Sequence, residues 1–252
     1  SADARRKFWL DRARTAAIAK HTNAFKINED VVIPLPRLGD YTDGIERINI
    51  ELSIKSKLRL CDALSEFFHG ELPLRASESA LDKDELIGDR RVRALEAVAA
   101  VRARWAWVLD SLDLPLTEAE THFAERGIEV GPLKNRAEEL RLFHRVQDYS
   151  LRISWKTELK ALIEDIFEGS TCRPVIDRTE TIQKEILRSR VFVALHMHAG
   201  DGNVHTNIPV NSDNYAMLQT ANAAVTRIMA LARSLDGVIS GEHGIGITKL
   251  EF

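Results

Sequence analysis

The chain has 252 residues, a net charge of -3 at pH 7 and 44% hydrophobic residues, a composition typical of a soluble globular protein with an adequate core. The slightly acidic balance argues against a nucleic-acid-binding protein, which is normally basic. The arginines between residues 90 and 104 lie at the spacing of the solvated side of an amphipathic helix. We therefore expect no nucleic-acid partner.

The chain contains only two cysteines, Cys61 and Cys172. This excludes a disulfide framework and a cysteine-ligated metal or iron–sulfur centre within the chain, and it favours a reducing compartment. Neither a long apolar run nor a signal peptide is visible, so we expect a cytoplasmic protein that does not span a membrane. Because the chain begins at Ser1 without a methionine and ends at Phe252, soon after its most informative motif, we expect it to be a piece of a longer polypeptide.

Helical periodicity dominates the first three quarters of the chain. The predicted helices, separated by glycine, proline or polar clusters, span residues 4–20, 38–68, 79–112, 135–168 and 176–190, with shorter helical pieces before residue 133. A β-branched run over residues 30–36 predicts a strand. Its prolines confine that strand to a sheet edge or lie at the strand end.

The C-terminal part contains the strongest strand signals. β-Branched and aromatic residues predict strands over residues 191–198 and 203–210, and the glycine-rich turn between them indicates a hairpin. The remaining elements are a helix over residues 213–235, capped by Ser212 and ended by Gly237, and a short strand over residues 238–240. The fold class predicted is α+β, with a small antiparallel, ferredoxin-like sheet backed by helices.

Histidines on both sides of the predicted hairpin turn indicate a metal site. His198 ends one strand and His205 lies early in the next, so antiparallel pairing can bring the two imidazoles within the span of one ion. Glu242 follows the short third strand and offers an oxygen ligand. Two histidines and a carboxylate leave positions open on Zn²⁺ or another divalent ion, as a substrate-binding metal requires. The alternatives are that strand histidines bind nothing, or that His196 takes the ligand role of its neighbour.

Glycines around these residues could instead indicate a phosphate-binding loop. They are Gly200, Gly202, Gly244 and Gly246. Their spacing differs from the six-residue dinucleotide fingerprint, and no βαβ unit surrounds them. The better interpretation is that they let the backbone turn tightly enough to aim Asp201, Asn203 and His243.

Two segments together resemble a known family. His198-Ala-Gly-Asp-Gly-Asn-Val-His205 and Ser240-Gly-Glu-His-Gly-Ile-Gly246 are similar to the paired signature of the FAD-linked oxidase C-terminal domain, found in D-lactate dehydrogenases, the flavin subunit of glycolate oxidase and D-2-hydroxyglutarate dehydrogenase. The resemblance implies that His198, His205 and Glu242 hold the divalent ion, expected to be zinc. It also implies that His243 is the general base, with Asn203 contacting the substrate or supporting the site.

The N-terminal segment resembles the same family more loosely. Trp9-Leu-Asp-Arg12 is similar to a helix whose arginine binds the substrate carboxylate, and residues 30–38 are similar to the first strand of the domain. Arg12 is therefore a candidate carboxylate ligand. Lys26 is a weaker candidate because the intervening loop differs in length from the family pattern. The alternative for both is a plain solvated charge.

The resemblance implies a domain organisation and a reaction. Residues 1–50 and 188–252 would form the substrate and metal domain, and residues 51–187 a mostly helical insertion. The reaction implied is hydride transfer from a D-2-hydroxy acid to FAD, which is bound mainly by a flavin-binding domain of the same polypeptide that this chain lacks. The isolated chain would then be inactive. An iron–sulfur domain or subunit is a further partner that the resemblance suggests.

Two other classes of function remain open. One is a stand-alone metal-dependent hydrolase that uses the His/His/Glu site to activate water without flavin. The other is a non-catalytic helical interaction module in which the histidines are only packed.

Overall fold

The computed structural model describes residues 24–75, 83–246, 249–250 and 252, and the fold is α+β with helix dominant, as predicted. The helix predicted over residues 4–20, and Arg12 with it, lies outside the described residues. The strands are β1 (Ala24–Val32), β2 (Ala194–His198) and β3 (Asn203–Asn211). The helices are α1 (Leu38–His69), α2 (Lys83–Ile87), α3 (Arg90–Asp110), α4 (Leu116–Glu125), α5 (Leu142–Gln147), α6 (Ala161–Ile166), α7 (Arg173–Arg188) and α8 (Tyr215–Ser234), with a short 3₁₀ turn (Leu35–Arg37) and a π-helical turn (Lys156–Lys160).

The chain divides into two compact units. One, here called the sheet unit, combines Ser1–Asn49 with Ser189–Phe252, and the other, the helical unit, is Ile50–Arg188. The functional roles assigned to these parts of the chain from the sequence stay predictions. In the described part of the chain, none of the helices is both long and apolar enough to cross a bilayer.

The sheet unit contains a three-stranded antiparallel sheet with the order β1-β3-β2. The hairpin of β2 and β3 agrees with the prediction, but β1 covers Ala24–Val32, not residues 30–36. The reason is that Pro34 and Pro36 cannot donate to a strand ladder, and the chain turns into the 3₁₀ turn at Leu35. The earlier half of β1 was missed because its alternating polar residues lack an apolar run.

The two faces of this sheet differ in polarity. Val31, Val204 and Ile208 are fully buried on one face, and α8 packs on β1 and β3. The start of α1 approaches α8 so closely that a Cβ at Gly44 would lie 2.5 Å from Leu231 Cδ2. The apolar face and these two helices thus form the core of the sheet unit, which leaves the opposite face for polar side chains.

The end of α8 leads the chain back to the sheet. Asp236 has a φ of 59°, and the Gly237 N–H bonds to the Ala232 carbonyl at 2.9 Å, a Schellman ending. Val238 then exchanges two backbone hydrogen bonds with Val32, at 2.9 and 2.8 Å. The strand predicted over residues 238–240 is therefore reduced to this single bridge.

The start of α8 corrects a second prediction. The helix begins at Tyr215, and its N-cap is Asn214, whose Oδ1 accepts the Met217 N–H at 2.9 Å. Ser212 lies too far before the helix to cap it. Asparagine and serine are equally good N-caps, so composition alone could not choose between these two positions.

The helical unit is less regular than its periodicity predicted. The helix expected over residues 79–112 is interrupted at Gly88, whose φ is +51°, between α2 and α3. Only short helices occupy residues 135–168, because the Asp148 carboxylate accepts the backbone N–H groups of Lys134 and Asn135 and so stabilises a loop. The helix predicted over residues 176–190 begins three residues earlier, at Arg173, since Pro174 is tolerated in a first turn.

Candidate metal and catalytic site

The polar face of the sheet brings together side chains from all three strands. His205 of β3 pairs with Asp30 on one side and with His196 on the other. The next pair toward the hairpin turn joins Asn203 and His198. Residues directly opposite each other in an antiparallel pair project from the same face, so all five side chains lie on one surface.

The candidate ligands His198 and His205 are not directly opposite each other in the sheet. His205 faces His196 directly, whereas His198 reaches His205 along the diagonal, with ring centroids 5.6 Å apart. The ring centroids of His196 and His205 are 6.1 Å apart. Direct pairing therefore favours His196, and the choice between the two histidines depends on the third ligand.

The position of Glu242 favours His198 as the second candidate ligand. His198, His205 and Glu242 each offer one ligand atom, and these atoms lie within 4.8 Å of one another. The His205 Nε2–Glu242 Oε2 distance is 3.7 Å. Ligand atoms about 2.0–2.2 Å from a common ion lie about 3–4 Å apart, so a small rotation of exposed side chains is enough to close the set. His198 is exposed and the Glu242 side chain is 59% exposed, which keeps the surface accessible to a small molecule.

The segment that carries Glu242 and His243 is held to the sheet by Asp30. Asp30 Oδ2 accepts the backbone N–H of Gly241 at 2.8 Å and that of His243 at 3.0 Å. Its Oδ1 lies 3.7 Å from His243 Nδ1 and 2.9 Å from Lys249 Nζ. The ammonium of Lys249 also donates to the Asp30 backbone carbonyl at 3.0 Å. Asp30 therefore accepts the hydrogen bonds that hold the backbone on either side of Glu242.

Sequence reasoning missed Asp30 and Lys249. The available signal was a carboxylate directly before the apolar run Val31-Val32-Ile33 at a position that alternation places on the face of the histidines. Asp30 is 0% exposed and Lys249 4% exposed, and buried charges are normally paired.

The environment of Asp30 keeps it ionised. Burial alone would raise the pKa of its carboxyl, but the His243 N–H, the Lys249 ammonium and the Gly241 N–H together lower that pKa to about 2. A carboxylate that is charged throughout the physiological range is a permanent acceptor for the N–H groups on either side of Glu242.

His205 is held in the form that a metal requires. Burial lowers the pKa of its imidazole, and the neighbouring His243 and His198 act in the same direction, against the carboxylates of Glu242 and Asp30. The neutral imidazole is the ligand form, so the lowered pKa favours metal binding at neutral pH.

Asn203 contributes a polar atom that has no partner among the described residues. It is 5% exposed, and neither its Oδ1 nor the Ser240 Oγ makes a hydrogen bond there. Orphaned buried acceptors next to an open polar surface are atoms that a bound molecule could satisfy. Lys26 is exposed and pairs with Pro209, which places it on the same face but four residues along β1 from Asp30. Its Cα is therefore about 13 Å from that of Asp30 along the strand.

One family model matches this part of the chain. Residues 115–252 match the model of the FAD linked oxidases, C-terminal domain. The match includes β2, β3, Glu242 and His243, as the signature motifs predicted, and it extends back into the helical unit, which the resemblance had assigned to an insertion. No solved structure matches the chain.

Curated relatives cover short segments. D-lactate dehydrogenase (cytochrome), mitochondrial, of Arabidopsis thaliana is 31% identical over 96 residues, which are 37% of this chain and 16% of that protein. D-lactate dehydrogenase (cytochrome) 1, mitochondrial, of Saccharomyces cerevisiae is 34% identical over 70 residues, 28% of this chain and 12% of that protein. An uncharacterised FAD-linked oxidoreductase of Mycobacterium tuberculosis is 46% identical over 52 residues, 21% of this chain and 10% of that protein. Each match covers only a small part of the relative.

Proposed function

Because the chain belongs to the FAD-linked oxidase C-terminal domain family, we propose that it is the substrate- and metal-binding part of an FAD-dependent dehydrogenase acting on a D-2-hydroxy acid. The family match supports an FAD-linked oxidoreductase as the class of the whole protein. The D-lactate dehydrogenases among the relatives support a 2-hydroxy acid as the substrate class.

The observation that carries the proposal is the convergence of His198, His205 and Glu242 beside His243. The first three place their ligand atoms within 4.8 Å of one another. The His243 ring centroid lies 5.2 Å from that of His205. A metal ligand set with an adjacent imidazole suits the oxidation of an alcohol, because the metal can bind the hydroxyl and the imidazole can accept its proton.

The roles of the residues follow from their chemistry. His198, His205 and Glu242 would hold a divalent ion, and two imidazoles with one carboxylate are a donor set suited to zinc with an open position. When bound, the ion would supply Lewis acidity and the flavin a hydride acceptor. His243 would accept the proton of the substrate hydroxyl, since a neutral imidazole nitrogen can act as a general base. Asn203 would donate or accept a hydrogen bond at the same surface.

Carboxylate recognition is assigned to the cations on the N-terminal part of the chain. Arg12 is proposed as the main carboxylate ligand because a guanidinium binds a carboxylate through two parallel N–H bonds. Lys26 lies on the polar face four residues along β1 from Asp30, so it fits the distal end of a longer substrate better than the carboxylate next to the reacting carbon.

The proposed partner is a flavin-binding domain of the same polypeptide, because the chain matches the C-terminal domain of the FAD linked oxidases. An iron–sulfur domain or subunit as a further partner, and the cytoplasmic location, stay predictions from the sequence.

Zinc binding to the chain tests the site directly. Isothermal titration with Zn²⁺ should give one site per chain, and His198→Ala or Glu242→Gln should each weaken it at least about 10-fold. The matched control is His196→Ala, which removes an imidazole from the same face but none of the three proposed ligands, and it should leave the affinity unchanged. If His196→Ala weakens binding as much as His198→Ala, the ligand assignment is wrong.

Redox chemistry is tested in the intact flavoprotein. Bleaching of the flavin by D-2-hydroxy acids should be slowed by His243→Ala by a factor of about 10²–10⁴, the usual contribution of a general base. The chain alone should not turn over. Metal-dependent hydrolysis without flavin would support the hydrolase alternative, and a folded chain that binds no metal would support the interaction module.

A further inference from the structure

Glu242 is an exposed ligand on a segment without regular secondary structure. Its side chain is 59% exposed, and residues 239–246 contain neither helix nor strand. Three glycines, Gly241, Gly244 and Gly246, give this segment a backbone with many accessible conformations. A ligand on such a segment contributes affinity only if something else holds the backbone in place, because ordering it on binding costs entropy.

Asp30 contacts the backbone on both sides of Glu242. Its Oδ2 accepts the N–H groups of Gly241 and His243, at 2.8 and 3.0 Å, which belong to the residues directly before and after Glu242. Hydrogen bonds from N–H groups to an ionised carboxylate are about twice as strong as neutral ones. Asp30 itself is restrained, since it lies within β1 opposite His205 and is 0% exposed.

The segment also packs tightly on the same strand surface. A Cβ at Gly241 would lie 2.6 Å from Asn203 Oδ1 and 2.9 Å from Asp30 Oδ2. Any side chain at position 241 would therefore push the segment away from the sheet and stretch its hydrogen bonds to Asp30. Both the acceptor and the glycine are needed for the close approach.

Lys249 keeps the charge of Asp30 in the buried position. Its ammonium lies 2.9 Å from Asp30 Oδ1 and 3.3 Å from Glu29 Oε2. This leaves Asp30 Oδ2 for the backbone N–H groups. Because each oxygen has its own partners, one carboxylate can pair with the Lys249 ammonium and also accept the two backbone N–H groups.

We infer that Asp30 is a positioning residue, which fixes the Gly241–His243 backbone so that Glu242 meets His198 and His205. The inference rests on the proposed metal-binding function for its consequence, but the backbone contacts that it concerns exist without metal. Asp30 is not one of the three proposed ligands, so its positioning effect on Glu242 is transmitted through the hydrogen bonds to Gly241 and His243.

The test uses the 252-residue chain and two readouts. Without metal, amide hydrogen exchange followed by NMR should show protected N–H groups at Gly241 and His243, and Asp30→Asn should abolish that protection. In a Zn²⁺ titration, Asp30→Asn should raise the dissociation constant about 10- to 100-fold, as loss of a residue that orients a metal ligand does. The matched control is Asp148→Asn, since Asp148 also accepts backbone N–H groups but in the helical unit, and its Zn²⁺ affinity should equal that of the unchanged chain.

A second variant covers the case in which Asp30→Asn does not fold. Gly241→Ala leaves every buried charge in place, and it should weaken Zn²⁺ binding by a similar factor with an unchanged circular dichroism spectrum. The inference is overturned if the amides of Gly241 and His243 exchange freely in the unchanged chain, or if the folded variants bind Zn²⁺ with unchanged affinity. If the unchanged chain binds no Zn²⁺ but its amide protection depends on Asp30, the positioning role stands and the proposed metal function fails.

Discussion

Gly202 and Ile33 lie so close that only glycine fits at position 202. The Ile33 N–H donates to the Gly202 carbonyl at 2.8 Å, and a Cβ at Gly202 would lie 2.1 Å from the Ile33 carbonyl oxygen. The φ of Gly202 is +71°, in the left-handed region. This contact ties the turn after His198 to the chain that follows β1, and it fixes the hairpin on which two candidate ligands lie.

Gly202→Ala should therefore destabilise the sheet unit. A left-handed non-glycine residue costs about 1–3 kcal/mol, and the clash with backbone that cannot rotate away adds to that cost. The measurement is the free energy of unfolding from urea denaturation followed by circular dichroism. Gly200→Ala is the matched control in the same turn, because a Cβ at Gly200 meets nothing within 4 Å among its surroundings. Equal stabilities of the two variants would contradict the role of this contact.

The N-cap of α8 gives a second comparison between neighbouring residues. Asn214→Ala should lower the free energy of unfolding by about 1 kcal/mol, because the Met217 N–H loses its acceptor at the helix start. Ser212→Ala is the control, since Ser212 is exposed and lies outside the helix. Thermal unfolding of both variants measures the difference. A larger loss from Ser212→Ala would restore the capping assignment made from the sequence.

Substrate recognition by Arg12 is tested in the intact flavoprotein. Arg12→Lys keeps the charge but loses the paired N–H donors that match a carboxylate, so KM for a D-2-hydroxy acid should rise strongly while kcat changes less. Lys26→Met in the same assay separates the two cations. An unchanged KM for Arg12→Lys would contradict carboxylate binding by Arg12 and favour the alternative, a solvated surface charge.

The sequence was informative where local chemistry decides the structure. The strands around His198 and His205 were predicted because β-branched residues and a glycine turn are local signals. The resemblance to the family motif then identified the two histidines as candidate ligands. The roles of Asp30 and Lys249 could not be read in the same way, since Gly241 and Asp30 are 211 residues apart and only the folded sheet brings them together. The half of β1 around Lys26 and Asn28 was missed because a strand with one polar face resembles a loop in composition.

Departures from the predicted helices have a similar origin. The periodicity of residues 135–168 is real, but backbone N–H groups find a competing acceptor in Asp148, which also accepts the Ser150 N–H at 2.8 Å. Side-chain acceptors of this kind offer the backbone an alternative to the helix. The spacing of hydrophobic residues predicts which residues are buried, but it does not predict which acceptors the backbone N–H groups bind.

Asp148 makes the stability of the helical unit depend on pH. Burial raises the pKa of its carboxyl, but hydrogen bonds from Ser150, Lys134 and Asn135 outweigh burial and lower that pKa to about 2 from an ordinary value of 3.8. A carboxyl whose pKa is lower in the folded state stabilises the fold above its unfolded pKa, and this contribution is lost as the pH falls toward the folded pKa. The stabilising effect of Asp148 is therefore full above about pH 5, and most of it is lost as the pH falls from about 4 to 2.

Asp148→Asn should consequently lower the free energy of unfolding by about 1 kcal/mol at pH 7, and the difference from the unchanged chain should shrink between pH 4 and pH 2. Urea denaturation followed by tryptophan fluorescence reports on the helical unit, where Trp105 and Trp107 lie in α3. Asp165→Asn makes the same change of charge at a side chain that is 77% exposed, and its effect should be smaller at pH 7. A stability difference between Asp148→Asn and the unchanged chain that stays constant down to pH 2 would contradict this prediction. It would mean that the charge of the carboxylate does not contribute to these hydrogen bonds.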